Sequence, residues 1–353
     1  MDRLASVLGV LDWSAPRTET EALRTDFDTL LAHRWWALTA RPEDEGLRAA
    51  LALLPLARRR RLLRAPWLSD LLARREGPHL DARRAANWLL AEVACLLPPQ
   101  TEAATLWTCH GDTRIGDDGL PESHGLPEVP GLTIDDGSPR SFPHREHGGN
   151  NIALLPRERR ADVRRAIAAA LAVASAHRPT VGAFIQDFTE VLALRADLED
   201  REVFRSGTFD RYIGLVFLTN PHLDRVDREG LVNALLHESI HGFLFTAEVV
   251  RGWFVRTADP RGLSLRSPWT GARLALPSYV HACLVWYGLH QFWQGVCNSG
   301  AAGFDVARAR ALRDTSALGF GARPAAQLDP FREHLDPDVL ALLHAVDARM
   351  AAP

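Results

Sequence analysis

The chain predicts a mainly α-helical protein with a small antiparallel sheet, an α+β class. Three observations carry this. Leu-, Ala- and Arg-rich segments with helical apolar spacing fill both ends of the chain. A few short stretches are β-branched and aromatic enough to read as strands. One central stretch is so rich in Gly, Pro, Asp and His that it reads as loop. The 353 residues, 46% hydrophobic and 24% charged, suffice for one large domain or two ordinary ones.

Residues 1–107 form a helical N-terminal region, with apolar spacing clearest over 20–40 and 81–97. Its Arg run, Arg58 to Arg61, reads as a solvated helix face. Residues 108–155 form a Gly/Pro/His-rich loop or linker with one or two short strands. Its "HREHGG", His144 to Gly149, reads as solvated loop rather than a second metal site. Residues 156–353 form the domain that carries the motifs. Helices are expected over 156–176 and 181–195, and a strand over 210–220, bounded by Asn220 and Pro221. A long helix follows over 227–250, with Asp227 as its N-cap. Residues 263–278 read as two strands around a Trp269-Thr270-Gly271 turn. An apolar helix starts at Pro277 and runs to 296, and another covers 336–352.

The formal net charge is -3, which argues against bulk attraction to nucleic acid or to an anionic membrane. All 41 basic side chains are Arg, so Schiff-base or nucleophilic lysine chemistry is absent. Cys95, Cys109, Cys283 and Cys297 form no C-x-x-C pair and suit a reducing compartment. The first residues are too weakly apolar for a signal peptide, and no run approaches the ~20 apolar residues of a membrane span. A cytoplasmic protein is expected.

The chemistry is concentrated in "ALLHESIHGFLF", residues 234–245. His237 and His241 are four apart, one turn along a single helix face, so both imidazoles can reach one metal ion. Imidazole suits zinc, iron, copper and nickel alike. In zincins the glutamate of H-E-x-x-H, here Glu238, is the general base for a metal-bound water. A strand followed by this helix would make a zincin-like core. The third ligand is the difficulty. A metzincin needs Gly and His where Leu244 and Ala247 stand. A gluzincin needs a Glu on a following helix, and after Glu248 the next is Glu333. Glu248 lies seven residues past His241, ~10 Å along a straight helix, too far to share an ion. Asp259 is possible but sits in a loop. His281, within the apolar "SYVHACLVWYG", is the remaining nearby candidate. A site of three His, or of two His and a carboxylate, leaves coordination positions open.

Residues 228–293 resemble the HExxH-type 2-oxoglutarate-dependent peptide β-hydroxylases, a bacterial family that modifies ribosomally made peptides. The matching segments are "ALLHESIHGFLF", "RSPWTG" and "SYVHACLVWYGLHQFW". The resemblance implies a mononuclear Fe(II) site that uses 2-oxoglutarate and O₂ to hydroxylate an unactivated C–H bond, with His237, His241 and His281 as ligands. The substrate it implies is a peptide or a carrier-bound amino acid. An Arg is then needed for the distal carboxylate of 2-oxoglutarate, because a guanidinium donates two parallel hydrogen bonds. Arg266 and Arg273 flank the turn before the His281 helix, with Ser267 or Thr270 as a hydroxyl partner. Glu238 would support a ligand or a metal-bound water rather than act as base. Trp269, Trp286 and Trp293 would wall the site or fill the core; His290 is structural.

Two other readings compete. A zincin-like zinc hydrolase predicts tightly held zinc and dependence on Glu238. A non-enzymatic helical binding protein predicts a structural metal or none.

Overall fold

The computed structural model describes residues 2–73, 82–95, 106–116, 121–123, 132–138, 152–252, 254–256, 262–300 and 302–351. These residues are mainly helical with small sheets, as the α+β class requires. The helices are α1 (Asp2–Leu11), α2 (Thr18–Leu38), α3 (Glu45–Leu53), α4 (Leu56–Arg64), α5 (Pro66–Ala73), α6 (Ala82–Ala94), α7 (Arg157–His177), α8 (Pro179–Phe188), α9 (Arg228–Arg251), α10 (Leu276–Ser299), α11 (Val306–Ala317) and α12 (Pro337–Ala351). The strands are β1 (Leu106–Trp107), β2 (Thr113–Ile115), β3 (Pro121–Ser123), β4 (Ile134–Asp135), β5 (Ile152–Leu154), β6 (Val191–Asp197), β7 (Arg205–Thr208), β8 (Leu215–Thr219), β9 (Ser264–Arg266) and β10 (Arg273–Ala275). Among the described residues, no helix is long and apolar enough to cross a membrane. The four cysteines are free thiols.

The expected antiparallel sheet is present in the three-stranded β1-β2-β3 and in the β9–β10 hairpin, but the main sheet differs. It has five strands and is mixed. β8 pairs parallel to one edge of β6 and antiparallel to β7. The other edge of β6 is shared by β4, parallel, and β5, antiparallel. Its central strand lies where a helix over 181–195 was expected. That helix stops at Phe188, and Val191–Ala196 are buried in β6. A strand covered on both faces loses the period of two, so its apolar run reads as a continuation of the helix. The strand expected over 210–220 is shorter, because residues 210–214 form a turn that ends at Gly214, φ 84°.

The chain divides into two compact units, both discontinuous. One comprises Met1–Leu23, Ala170–Ile185 and Arg228–Pro353; the other comprises Arg24–Ala169 and Gln186–Asp227.

The second unit holds the mixed sheet. Its core packs Val191, Ala193, Leu215 and Phe217 against Trp67, Ile152, Phe209 and Tyr212. Burying these side chains stabilises the unit by about 1.5–3 kcal/mol for each large one. Gly207 is required in β7, because a Cβ there would lie 2.2 Å from Phe217 Cζ. The Arg run is only partly a solvated face. Arg58 and Arg61 both donate to the fully buried Glu92, at 3.3 and 3.4 Å, and Arg61 also pairs with Asp112. A buried carboxylate needs such partners.

The first unit is built round α10, which packs against α1, α9, α11, α12 and the β9–β10 hairpin. Pro277 sits in its first turn, and Gly300, φ 59°, ends it with a backbone N–H to Val296 O. Gly288 lets α9 and α1 come close: a Cβ there would lie 2.9 Å from Ile240 Cδ1 and 3.3 Å from Leu11 Cδ2. The Gly288 carbonyl also accepts from Trp13 Nε1 at 2.9 Å. Next to it, Tyr287 donates to Asp12 Oδ1 and accepts from Arg349 Nη1 at 3.1 Å, while Arg349 also pairs with Asp12. This knot ties the N-terminal and C-terminal helices to α10, and so fixes the helix that carries His281.

Candidate metal centre

α9 is buried round most of its circumference. Between Leu231 and Glu248 the half-buried positions are Asn233, His237, His241 and Phe245, each four residues from the last. Such a row follows one face of the helix. On α10, between Tyr279 and Leu289, the half-buried positions are Ala282 and Trp286, again four apart. The two open stripes meet where the Trp286 ring stands edge-on to His237, with centroids 5.8 Å apart at 87°.

Along this seam the imidazoles form a chain. The rings of His237 and His241 are 5.1 Å apart. Those of His241 and His281 are 5.5 Å apart and nearly parallel, with their Nδ1 atoms separated by 3.2 Å. His281 is 2% exposed. Phe245 lies 4.8 Å from it, ring to ring, and Phe254 6.2 Å. On its far side, Glu248 Oε1 is 3.3 Å from His281 Nε2, an ion-pair distance, although the oxygen lies off hydrogen-bond alignment with the ring. The three candidate ligands are therefore neighbours, with His241 in the middle. Among the described residues, no three His, Cys, Asp or Glu side chains converge on one point.

His237 and His241 are half-buried. Burial holds the pKa of His237 down, to about 4. Burial, and then the neighbouring His237 and His281, holds His241 well below the ordinary histidine value. Both rings are thus neutral near pH 7, with a lone pair to offer.

The remaining candidates occupy distinct places. Glu238 is 4% exposed, off the open stripe. Arg266 and Arg273 are exposed on the hairpin and face each other as cross-strand partners. Arg266 donates to Gly271 O at 3.1 Å, and Arg273 Nη2 donates to Ser264 Oγ at 2.7 Å. Like charges directly opposite are unfavourable unless an anion or acceptor lies between them. Ser267 is buried, and its Oγ accepts from the N–H groups of Trp269 and Thr270, both at 3.3 Å. Thr270 Oγ1 accepts from Ala272 N at 3.4 Å. Both hydroxyls therefore shape the turn. The turn reaches the imidazoles through stacked indoles: Trp269 lies 5.9 Å from Trp286 at 11°, and Trp286 abuts His237. Trp293 lies deeper and donates from Nε1 to Asn233 Oδ1 at 2.9 Å. His290 Nδ1 is 3.4 Å from the Arg313 carbonyl.

Sequence reasoning did not find Phe245, Phe254 or the place of Glu248. Phe245 and Glu248 were within reach of it, because residues four and seven beyond His241 return to the same helix face. His144 to Gly149 and Asp259 lie outside the described residues.

No protein-family model matches the chain, and no curated protein is similar to it. The resemblance to the peptide β-hydroxylases rests on its three sequence segments.

Proposed function

We propose that the chain is an Fe(II)- and 2-oxoglutarate-dependent oxygenase that hydroxylates an unactivated C–H bond, at a β-carbon, of a peptide or carrier-bound amino acid. One observation supports it above the rest: two imidazoles from different helices, His241 and the buried His281, hold their ring nitrogens 3.2 Å apart, with His237 adjacent. Metal–imidazole bonds are about 2.0–2.1 Å long, so two nitrogens at this spacing suit adjacent ligand positions. His237 would join them by rotating its side chain. The donors fit a divalent metal that imidazole favours. A zincin-like core, in which a strand precedes the H-E-x-x-H helix, is part of the same reading.

In this proposal iron with 2-oxoglutarate supplies the oxidising power for C–H hydroxylation when both are bound. The protein's own groups do the rest. His237, His241 and His281 hold the metal on one side and leave other positions open. Arg266 and Arg273, paired across the hairpin, offer a carboxylate two parallel hydrogen bonds. Phe245, Trp286 and Trp269 keep water from the seam. Glu238, off the open stripe, supports the ligand helix and moves no proton of the substrate. Glu238 lies off the half-buried row of α9 that carries His237 and His241, which favours this reading over a zinc hydrolase in which Glu238 would activate water.

The test is anaerobic addition of 2-oxoglutarate to the Fe(II)-loaded protein, followed by O₂ and candidate peptides. A weak visible charge-transfer band, then succinate and a product heavier by one oxygen atom, are expected. Zinc-supported peptide hydrolysis that disappears in Glu238→Gln, with no succinate, would overturn the proposal.

A further inference from the structure

We infer that Asn233 binds the substrate: its side-chain amide, set by Trp293, donates a hydrogen bond to a neutral main-chain carbonyl oxygen of the substrate, one helical turn from His237. The inference rests on the proposed function for the identity of that carbonyl; the setting of the amide does not.

Asn233 heads the half-buried row of α9 that continues through His237, His241 and Phe245. Four residues advance an α-helix by ~6 Å, so Asn233 is the next side chain to His237 along that face. Helix α10 supplies an indole to each of these two positions. Trp286 stands edge-on to His237, and Trp293, seven residues further and so on the same face of α10, reaches Asn233.

The Trp293 contact decides which way the amide points. An indole Nε1–H can only donate, so the atom it meets at 2.9 Å is the carbonyl oxygen of Asn233, Oδ1. Nδ2 is then the other branch, with two hydrogens to give, and among the described residues it has no hydrogen-bond partner. Trp293 is itself fully buried, with Phe292 and Phe304 edge-on to it at 4.9 and 5.7 Å between ring centres. Asn233 is half-buried, so its donor is held in place without being sealed in. A donor fixed beforehand lowers the ordering cost of binding.

With its acceptor occupied, the amide can recognise only an acceptor. In the proposed function the imidazoles hold the metal and Arg266 and Arg273 hold the carboxylate of 2-oxoglutarate, which leaves the polar atoms of the substrate to be gripped. In a peptide or a carrier-bound amino acid, the carbon that bears the β-carbon also bears a carbonyl. Gripping that oxygen orients the β-carbon relative to the histidines. A free amino acid carries a carboxylate there instead, which a guanidinium serves better than a neutral amide does.

The probes are the N-acetyl, N-methylamide derivatives of the common amino acids, each with its free amino acid for comparison. In the first arm they are added to the full chain, with and without zinc, labelled with ¹⁵N in its asparagines. The Asn233 side-chain signals are assigned by their contact with the Trp293 indole proton. At least one capped probe should move them; if none does, or if free amino acids move them more than their capped forms, the inference is overturned. In the second arm the best-bound probe is turned over by the Fe(II) protein with 2-oxoglutarate. Asn233→Asp still accepts from Trp293 but has no hydrogen to give, and should raise KM by about 10-fold. Trp293→Phe keeps a ring but releases the amide, and should raise KM by less; it gives the comparison if Asn233→Asp does not fold. In both variants kcat should stay within about twofold, as for a contact that binds without acting on the reacting bond, and the visible band of bound 2-oxoglutarate should be unchanged. A merely structural role would move the band as well. An unchanged KM in both variants overturns the inference and leaves the oxygenase reading standing. Movement of the Asn233 signals with no succinate from any probe overturns the oxygenase reading and leaves the carbonyl site intact.

Discussion

Gly319 should be intolerant of even one added methyl group, and the reason lies in how the indole wall is built. Gly319 sits in the 3₁₀ segment Leu318–Ala322, against the face of Trp269. A Cβ there would lie 2.3 Å from Trp269 Cε2, 2.4 Å from Cδ2 and 2.7 Å from Nε1. Ordinary contact begins at 3.4 Å, so Gly319→Ala must displace the ring by about 1 Å. The ring is held by its Nε1 hydrogen bond to Ser316 O, 2.9 Å, and by an edge contact with Phe320 at 5.0 Å. Losing the hydrogen bond costs about 1 kcal/mol. Forcing a methyl into a packed site costs about 1–3 kcal/mol more. The variant should therefore lose roughly 2–4 kcal/mol, a fall of roughly 3–5 °C in melting temperature for a chain of 353 residues. Gly321→Ala is the control, since no atom lies within 4 Å of its Cβ position; it should stay within about 0.5 kcal/mol of wild type. Trp269→Leu supplies the double-mutant cycle: with the indole removed, most of the Gly319→Ala penalty should vanish. The assay is thermal and denaturant unfolding followed by circular dichroism. Equal melting of the Gly319 and Gly321 variants, or a penalty unchanged in the Trp269→Leu background, would refute the reasoning. Because Trp269 stacks on Trp286 and Trp286 abuts His237, the same substitution should also weaken cobalt(II) binding.

Three further outcomes are expected. His241→Ala removes the central imidazole of the chain and should weaken cobalt(II) binding by more than about 100-fold in equilibrium dialysis; His237→Ala, at the end of the chain, should weaken it less. Arg266→Gln and Arg273→Gln should each weaken 2-oxoglutarate binding to the Fe(II) protein by about 10–100-fold, since a hydrogen bond to a charged group is worth about 1.5–3 kcal/mol; unchanged titrations of both would place the carboxylate elsewhere. Tyr287, whose pKa burial and then its hydrogen bond to Asp12 push up from 10.0 to about 12, is neutral in the folded state where an unfolded tyrosine has ionised. Its contribution, about 3 kcal/mol at most, is fully present below pH ~10 and is lost as pH rises to ~12; Tyr287→Phe should flatten that alkaline fall in stability-versus-pH curves.

The helices were legible because their signals are local. The α9 and α10 ranges agree with the expected ones within about three residues, and the hairpin turn lies at Trp269-Thr270-Gly271 as read. What could not be read was set by partners distant in sequence. Val191–Asp197 became a strand because β4, β5 and β8 cover its edges, and nothing in "VLALRAD" announces them. The adjacency of His241 and His281 was inferred from the lack of another third ligand, but its register depends on Gly288, which lets α10 approach Ile240 and Leu11. Glu248 was set aside on axial distance from His241. The carboxylate instead stands 3.3 Å from Nε2 of His281 on the other helix, a neighbour that helical spacing alone does not give.

The phase of burial on α9 bears on which chemistry the motif can support. In H-E-x-x-H the glutamate follows the first histidine by one residue, a rotation of about 100° round the helix. Whether it can act on a metal-bound water therefore depends on which face of the helix is open. On α9 the open positions step by four through Asn233, His237, His241 and Phe245, and Glu238 falls on the closed side. The partly open surface is then made of neutral imidazoles and, with Trp286, aromatic rings. In the proposed oxygenase such a surface would shield a reactive centre from water, and Glu238 would serve as no base. The carboxylate that does touch an imidazole, Glu248, does so on the buried nitrogen of His281. Glu238 and Glu248 are thus both buried, off the half-buried row that carries His237 and His241.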